Sequence, residues 1–244
     1  SIVLIVFGWL SGCNFRLAGK DWGVVFLLSL LRAVTSFSLI IAYQNIASGV
    51  ASTIHFMYPL AVALAMMFFF REKKSLLVIL AVLMSLLGAA LLSLGELEAK
   101  SGNTMVGLVA ACVSVFSYAG YIVGVRTTRA VQINSTALTC YVMGLGTIFY
   151  LIGAYCTSGL QLVSDGYTWL IILGLALPAT AISNITLVQA IKYAGPTLTS
   201  ILGAMEPLTA VVIGVFVFKE LFTVNSAVGI ILILLAVSIV VSVS

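Results

Sequence analysis

AYQNIASGVASTIHFMYPLAVALAMMFFFRE, from Ala42 to Glu72, meets its own likeness later in the chain as AIKYAGPTLTSILGAMEPLTAVVIGVFVFKE, from Ala190 to Glu220. The two align without a gap at an offset of 148 residues: Pro59 matches Pro207, Glu72 matches Glu220, and Arg71 meets Lys219. Ala42/Ala190, Ser52/Ser200, Met57/Met205, Leu60/Leu208, Phe68/Phe216 and Phe70/Phe218 keep the same register. Apolar helices of biased composition resemble one another by chance. A shared proline within the run and a shared basic–Glu pair at its end go beyond that background.

Each copy is an apolar run long enough to cross a bilayer, which takes roughly 20 helical residues. The whole chain has this character: 62% of its 244 residues are hydrophobic and only 7% are charged. Ordinary soluble domains carry roughly a quarter of their residues as charges. So few charges cannot cover a folded surface in water, which makes lipid the solvent for most side chains. A transmembrane β-barrel would instead alternate apolar and polar residues in segments of about ten, and the chain shows no such alternation. The composition therefore predicts an all-α polytopic membrane protein.

The pattern predicts a partial span at Ser1–Ser11, then spans near Trp22–Tyr43, Val50–Phe70, Leu76–Leu94 and Thr104–Val125. Further spans are expected near Thr136–Tyr155, Tyr167–Ile191, Pro196–Phe218 and Val224–Val241, about nine in all. One set of alternate loops holds Arg16, Lys20, Arg71, Lys73, Lys74, Arg126, Arg129 and Lys192, whereas the opposite set holds Lys100 and Lys219. Basic residues mark the cytoplasmic side, so the C-terminus is expected in the cytoplasm, with the chain in the inner or plasma membrane. The net charge of +4 is thus an orientation signal rather than a nucleic-acid footprint.

By this count the first copy of the repeat enters the bilayer from outside and the second from inside. They are five crossings apart, an odd number that forces opposite orientation. Two inverted repeats are expected, residues 1–98 and 104–244. Inverted repeats are typical of secondary transporters, whose sites lie near the bilayer midplane. The span Thr104–Val125 is left without a mate, which the register would place before residue 1. A ten-helix protein lacking its first helix and part of its second is the expectation.

The two signatures, Tyr58-Pro59 with Arg71-Glu72 and Glu206-Pro207 with Lys219-Glu220, resemble the EamA family of the drug/metabolite transporter superfamily. The resemblance covers essentially the whole chain. It implies ten helices in two inverted five-helix repeats and secondary transport, chiefly export, of amino acids, other metabolites or drugs. Related branches carry nucleotide sugars or flip lipid-linked sugars, so the resemblance does not name a substrate.

Candidate site residues follow from depth. At 1.5 Å per residue, Arg32 lies roughly 16 Å and Glu206 roughly 15 Å into their spans, both near the midplane. A lone charge there costs at least about 2.5–3.5 kcal/mol, so such residues face a wet cavity or pair. Arg32 and Glu206 are expected to line a central cavity, either as a fixed ion pair or as ligands for a zwitterionic substrate. Tyr58 occupies the repeat position of Glu206 and should face it across the pseudo-two-fold axis. His55, one turn earlier, is the sole histidine and can titrate in a proton-coupled cycle, although a lone helical histidine is more commonly just hydrogen-bonded. Pro59 and Pro207 remove backbone donors and should kink their helices. Tyr118, Tyr121, Asn184 and Gln189 are weaker cavity candidates. Gly120 and Gly124 form a GxxxG expected to serve close helix packing.

Other readings find less support. Cys13, Cys112, Cys140 and Cys156 show no CxxC or metal-like spacing and read as small apolar packers. Leu10-Ser11-Gly12-Cys13 resembles a lipobox, but no basic n-region precedes it. There is no HExxH and no phosphate-cradling GxxxxGK, so neither catalysis, a metal nor a cofactor is expected. Without a nucleotide-binding domain the expected transport is secondary. The alternatives are a channel-like facilitator, a lipid-linked sugar flippase or a non-transporting scaffold, none of which accounts for inverted halves. Expected partners are a small-molecule substrate, membrane lipid and a coupling proton, with no nucleic acid and the chain acting as a monomer or homodimer.

Overall fold

The computed structural model describes residues 15, 17–71, 76–93, 102–157, 165–175, 180–203, 205–206, 209, 213, 216 and 224–243. Every regular element among them is helical. In chain order these are α1 (Trp22–Asn45), α2 (Ser48–His55), α3 (Tyr58–Phe69), α4 (Leu76–Ser93), α5 (Thr104–Thr127) and α6 (Ser135–Thr157). They are followed by α7 (Gly166–Leu175), α8 (Ser183–Tyr193), α9 (Pro196–Leu202) and α10 (Val224–Val243). Short 3₁₀ turns at Gly19–Asp21 and Arg129–Gln132 precede α1 and α6. The expected span at Ser1–Ser11 lies outside the described residues.

The helices exist for the reason the composition implies. In lipid each backbone N–H and C=O must be satisfied within its own segment, and a helix does this. Among the described residues four helical segments are long and apolar enough to cross a membrane: Gly19–Asn45, Val50–Phe69, Thr104–Thr127 and Ser135–Gly153. The outer faces of the helices are apolar, with Phe69 and Leu76 more than 80% exposed and Phe116 and Leu170 at 71%. That much exposed apolar surface suits hydrocarbon rather than water. The fold is an all-α polytopic membrane fold.

Breaks between helices fall where backbone chemistry demands them. Pro59 has no N–H to offer the carbonyl of His55, so α2 stops there. The last α-helical bond runs from Phe56 N–H to Ser52 C=O (2.8 Å), and the chain then tightens through Met57 N–H to Ile54 C=O (3.0 Å). It restarts as α3 with the proline in its first turn, where a missing donor costs nothing. The corner between α8 and α9 is made by Gly195, at φ +91°, followed by Pro196. The described part of the span expected at Tyr167–Ile191 comprises α7 and α8, and a π-helical turn at 180–182 leads into α8.

The chain divides into two compact units, each drawn from both ends of the sequence. The first takes Ser1–Ala33 and Gly124–Tyr193. In it Cys140, Ala181 and Ile185 form a small core with Phe15 and Met143 packed on it. Gly124 admits Leu28 of α1, whose Cδ2 would lie 2.8 Å from a Cβ at that glycine. An ion pair, Arg129 Nε to Asp21 Oδ1 at 3.2 Å, ties the two 3₁₀ turns together. The second unit takes Val34–Val123 and Ala194–Ser244. Its main core joins Ala63 and Met67 of α3, Ala81 and Val82 of α4, Ile201 of α9 and Ala236 of α10. A second cluster joins Ala42, Ile46, Ala51, Ala110 and Ala111.

Candidate functional site

In the second unit the end of α2 and the start of α3 set His55 and Tyr58 one helical turn apart, against one face of α5. On that face Ser114, Tyr118 and Tyr121 recur at spacings of four and three, which aligns them in a helix. The rings gather into one cluster. The His55 centroid is 5.6 Å from that of Tyr58 and 5.4 Å from that of Tyr118. Tyr58 and Tyr118 meet edge to face at 4.7 Å, and Tyr118 lies parallel to Tyr121 at 6.3 Å. All three tyrosines are buried, while His55 is half-buried.

Polar contacts fix the imidazole. His55 Nδ1 lies 3.0 Å from Ser114 Oγ, and that hydroxyl donates its own hydrogen to the Ala111 carbonyl at 2.6 Å. With its proton committed, Ser114 Oγ is left as acceptor, so the network assigns the hydrogen to Nδ1 and the lone pair to Nε2. Below it, Thr35 Oγ1 donates to Ser117 Oγ at 2.9 Å, which donates to the Val113 carbonyl at 2.7 Å. Tyr43 Oη and Ser52 Oγ share a bond of 3.2 Å. These hydroxyls form a polar seam in an apolar bundle.

Tyr58 closes on Gly203, the residue that ends α9. A Cβ built on Gly203 would stand 1.8 Å from Tyr58 Oη, so only glycine leaves room for the phenol. Glu206 lies one turn beyond, exposed, with its N–H bonded to the Gly203 carbonyl at 3.0 Å. Pro207, expected to kink this helix, lies outside the described residues.

In the first unit, Arg32 on α1 donates from Nη2 to Asn184 Oδ1 at 3.1 Å. The other end of that amide is held too, because Asn184 Nδ2 donates to the Thr180 carbonyl at 2.7 Å across the π-helical turn. Asn184 is buried and Arg32 half-buried. Fixed at both ends, the amide presents its oxygen to the guanidinium in one orientation. Gln189 points outward and is exposed.

The structure thus brings His55, Tyr58, Tyr118 and Tyr121 together in one unit and Arg32 with Asn184 in the other; Glu206 belongs to the unit of the tyrosines. Sequence reasoning overlooked Ser114, Ser117, Thr35 and Gly203. Ser114 was findable, because it sits four residues before Tyr118 on the same helical face. Gly203 was findable as the repeat counterpart of His55, but its role depends on a contact that spacing does not show. Among the described residues no group of three His, Cys, Asp or Glu gathers to hold a metal ion, and Cys140 is a buried packing residue.

Comparison with known proteins agrees with this architecture. The sequence profile described as the EamA-like transporter family matches residues 1–94 and 105–242. A protein of Archaeoglobus fulgidus described as an uncharacterized transporter is 28% identical over 228 residues, covering 92% of this chain and 79% of its own. A solved crystal structure superposes with a TM-score of 0.83 at 18% identity, over 99% of this chain and 83% of that one. Apolar helices with polar and aromatic groups gathered inside them, together with these likenesses, define a membrane transporter. The chain belongs to the EamA-like transporter family, and its fold is that of the drug/metabolite transporter superfamily.

Proposed function

We propose that this chain is a secondary transporter that exports small metabolites, amino acids or similar solutes and drugs, by alternating access. The observation that carries this reading is the His55–Tyr58–Tyr118–Tyr121 cluster, seated at a helix interruption and backed by Ser114. Aromatic faces with a few placed polar groups are how proteins hold small organic solutes, and interrupted helices are where transporters bind and bend. In the first unit Arg32, oriented by Asn184, is the candidate cation for a carboxylate, and in the second Glu206 is the candidate anion for an amine. Tyr118, Tyr121 and Gln189 complete the candidate set. The EamA membership and the transporter description of the archaeal relative support the class.

The eight-to-two division of loop cations supports a C-terminus in the cytoplasm and residence in the cell membrane. The reading needs no cofactor and no catalytic step. The residues 1–98 and 104–244 are the inverted repeats whose rearrangement alternates access.

The test is flux of a pool of labelled amino acids into proteoliposomes, with and without a pH gradient, for the wild type, Arg32→Gln and Glu206→Gln. Loss of flux in both variants supports the assignment. Flux untouched by both would remove these residues from the site, and absence of flux for every pooled solute would shift the substrate to nucleotide sugars or lipid-linked sugars.

A further inference from the structure

The 148-residue register relates contacts as well as residues. It carries Tyr58 onto Glu206, and His55 onto Gly203. The structure shows one member of a pair of related contacts: Tyr58 lies with its hydroxyl against Gly203, 1.8 Å from where a Cβ would be. Exchanging each residue for its repeat counterpart turns Tyr58 against Gly203 into Glu206 against His55. By that register, the contact filled by a phenol and a glycine on one side has a carboxyl and an imidazole as its counterparts on the other. All four residues belong to the second compact unit, and Glu206 follows Gly203 by a single helical turn.

The imidazole is prepared for this partner. Its Nδ1–H is spent on Ser114 Oγ, which leaves the Nε2 lone pair as the basic site. Around it α3 contributes Tyr58, and α5 contributes Tyr118 with Tyr121 behind it. The described helices of this unit, α1 from Val34, α2, α3, α4, α5 up to Val123, α9 and α10, carry no Asp, Glu, Lys or Arg. Among the described residues of the unit, Arg71 stands at the far end of α3, and Glu206 is the remaining charged group.

We propose that His55 and Glu206 form a binding site for one proton, shared between Nε2 of the imidazole and the Glu206 carboxyl. Unloaded, the pair is a neutral imidazole and a carboxylate. It takes one proton from water onto Nε2, and the loaded pair is imidazolium beside carboxylate, without net charge. No other bond forms or breaks. Loading therefore removes one net negative charge from the pair. The site rests on the transport reading only for its use: in a transporter it is where a proton gradient acts.

The test uses the whole chain in lipid nanodiscs and needs no substrate. Because the chain has a single histidine, ring-¹⁵N labelling reports His55 alone. In the wild type the Nε2 resonance should titrate while Nδ1 keeps its hydrogen. Glu206→Gln should move the midpoint about one unit to lower pH, as expected when an anion within roughly 4–6 Å is lost, and Glu206→Asp should keep most of the wild-type midpoint. A second measurement on the unsubstituted chain, dipolar dephasing between the ring nitrogens and ¹³Cδ-labelled glutamate, should detect a carboxyl within about 5 Å. An unchanged midpoint in Glu206→Gln, or no dephasing, overturns the pair. Solute flux with either of those results removes the proton site and leaves the transporter standing. Both signals without flux for any solute remove the transport reading and leave the site.

Discussion

Gly88 of α4 faces Ile233 of α10 so closely that a Cβ on the glycine would stand 2.7 Å from Ile233 Cγ1 and 2.8 Å from the carbonyl oxygen of Gly229. The second of these neighbours is backbone and cannot step aside. In lipid, helices associate through close packing rather than the hydrophobic effect, and small residues at the contact permit it. Gly88→Ala is therefore expected to separate α4 from α10 and to cost about 1–3 kcal/mol, the usual range for overpacking. Denaturant titration in mixed micelles would measure it. Gly144, with nothing within 4 Å of its hypothetical Cβ, should accept alanine without loss.

Gly203 is constrained by a side chain instead. Gly203→Ala should displace the Tyr58 ring and lower stability by about 1–3 kcal/mol. Tyr58→Phe in the same chain should recover part of that loss, since the nearest remaining ring atom, Cζ, lies 3.1 Å away rather than 1.8 Å. A double-mutant cycle read by the same titration gives the coupling, and additive effects would contradict the contact.

The bond from Arg32 to Asn184 predicts an asymmetric result. Asn184→Ala removes one acceptor from the half-buried guanidinium, at a cost of about 1.5–3 kcal/mol for a bond to a charged group. Asn184→Asp keeps an acceptor at the same place. Flux of the labelled amino-acid pool should fall sharply in the alanine form and stay nearer the wild type in the aspartate form.

Asp165 lies in the connection ahead of α7 and caps it. Its Oδ2 accepts from the Thr168 N–H and from the Thr168 hydroxyl, both at 3.0 Å. These bonds, the backbone one first, hold the carboxyl below the usual value of 3.8. Folding lowers this group's pKa, so its contribution to the helix end is complete above 3.8 and fades as pH falls through the lower folded midpoint. Carboxyl ¹³C titration should show a midpoint below 3.8 in the wild type. Thr168→Val, which keeps the N–H and loses the hydroxyl, should bring the midpoint partway back.

Class and helix positions were readable because they depend on composition and on runs of apolar residues. The expected start at Trp22 coincides with that of α1, and the expected Leu76–Leu94 differs from α4 by one residue. The nearness of Tyr118 to Tyr121, and of His55 to Tyr58, follows from helical spacing alone. The bond between Arg32 and Asn184 does not, since 152 residues separate them and no local rule selects one buried amide over another. Ser114 escaped for a related reason: a serine on an apolar helix commonly bonds its own backbone. This one does so, with the Ala111 carbonyl, and holds a histidine as well. The interleaving of the two compact units was equally hidden, because the repeat divides the chain near residue 100 and the packing divides it near 33, 123 and 193.

That interleaving bears on how the protein is made. A ribosome delivers the chain from one end, yet the unit containing Ser1–Ala33 is completed only by Gly124–Tyr193, and the unit begun at Val34 only by Ala194–Ser244. Neither can close while the first half alone has emerged. The early helices must wait in the bilayer, individually stable because their backbone bonds are internal, until their partners follow. A nascent chain arrested near residue 100 should thus be membrane-inserted but unassembled, and assembly should come late and in one direction, the first unit before the second.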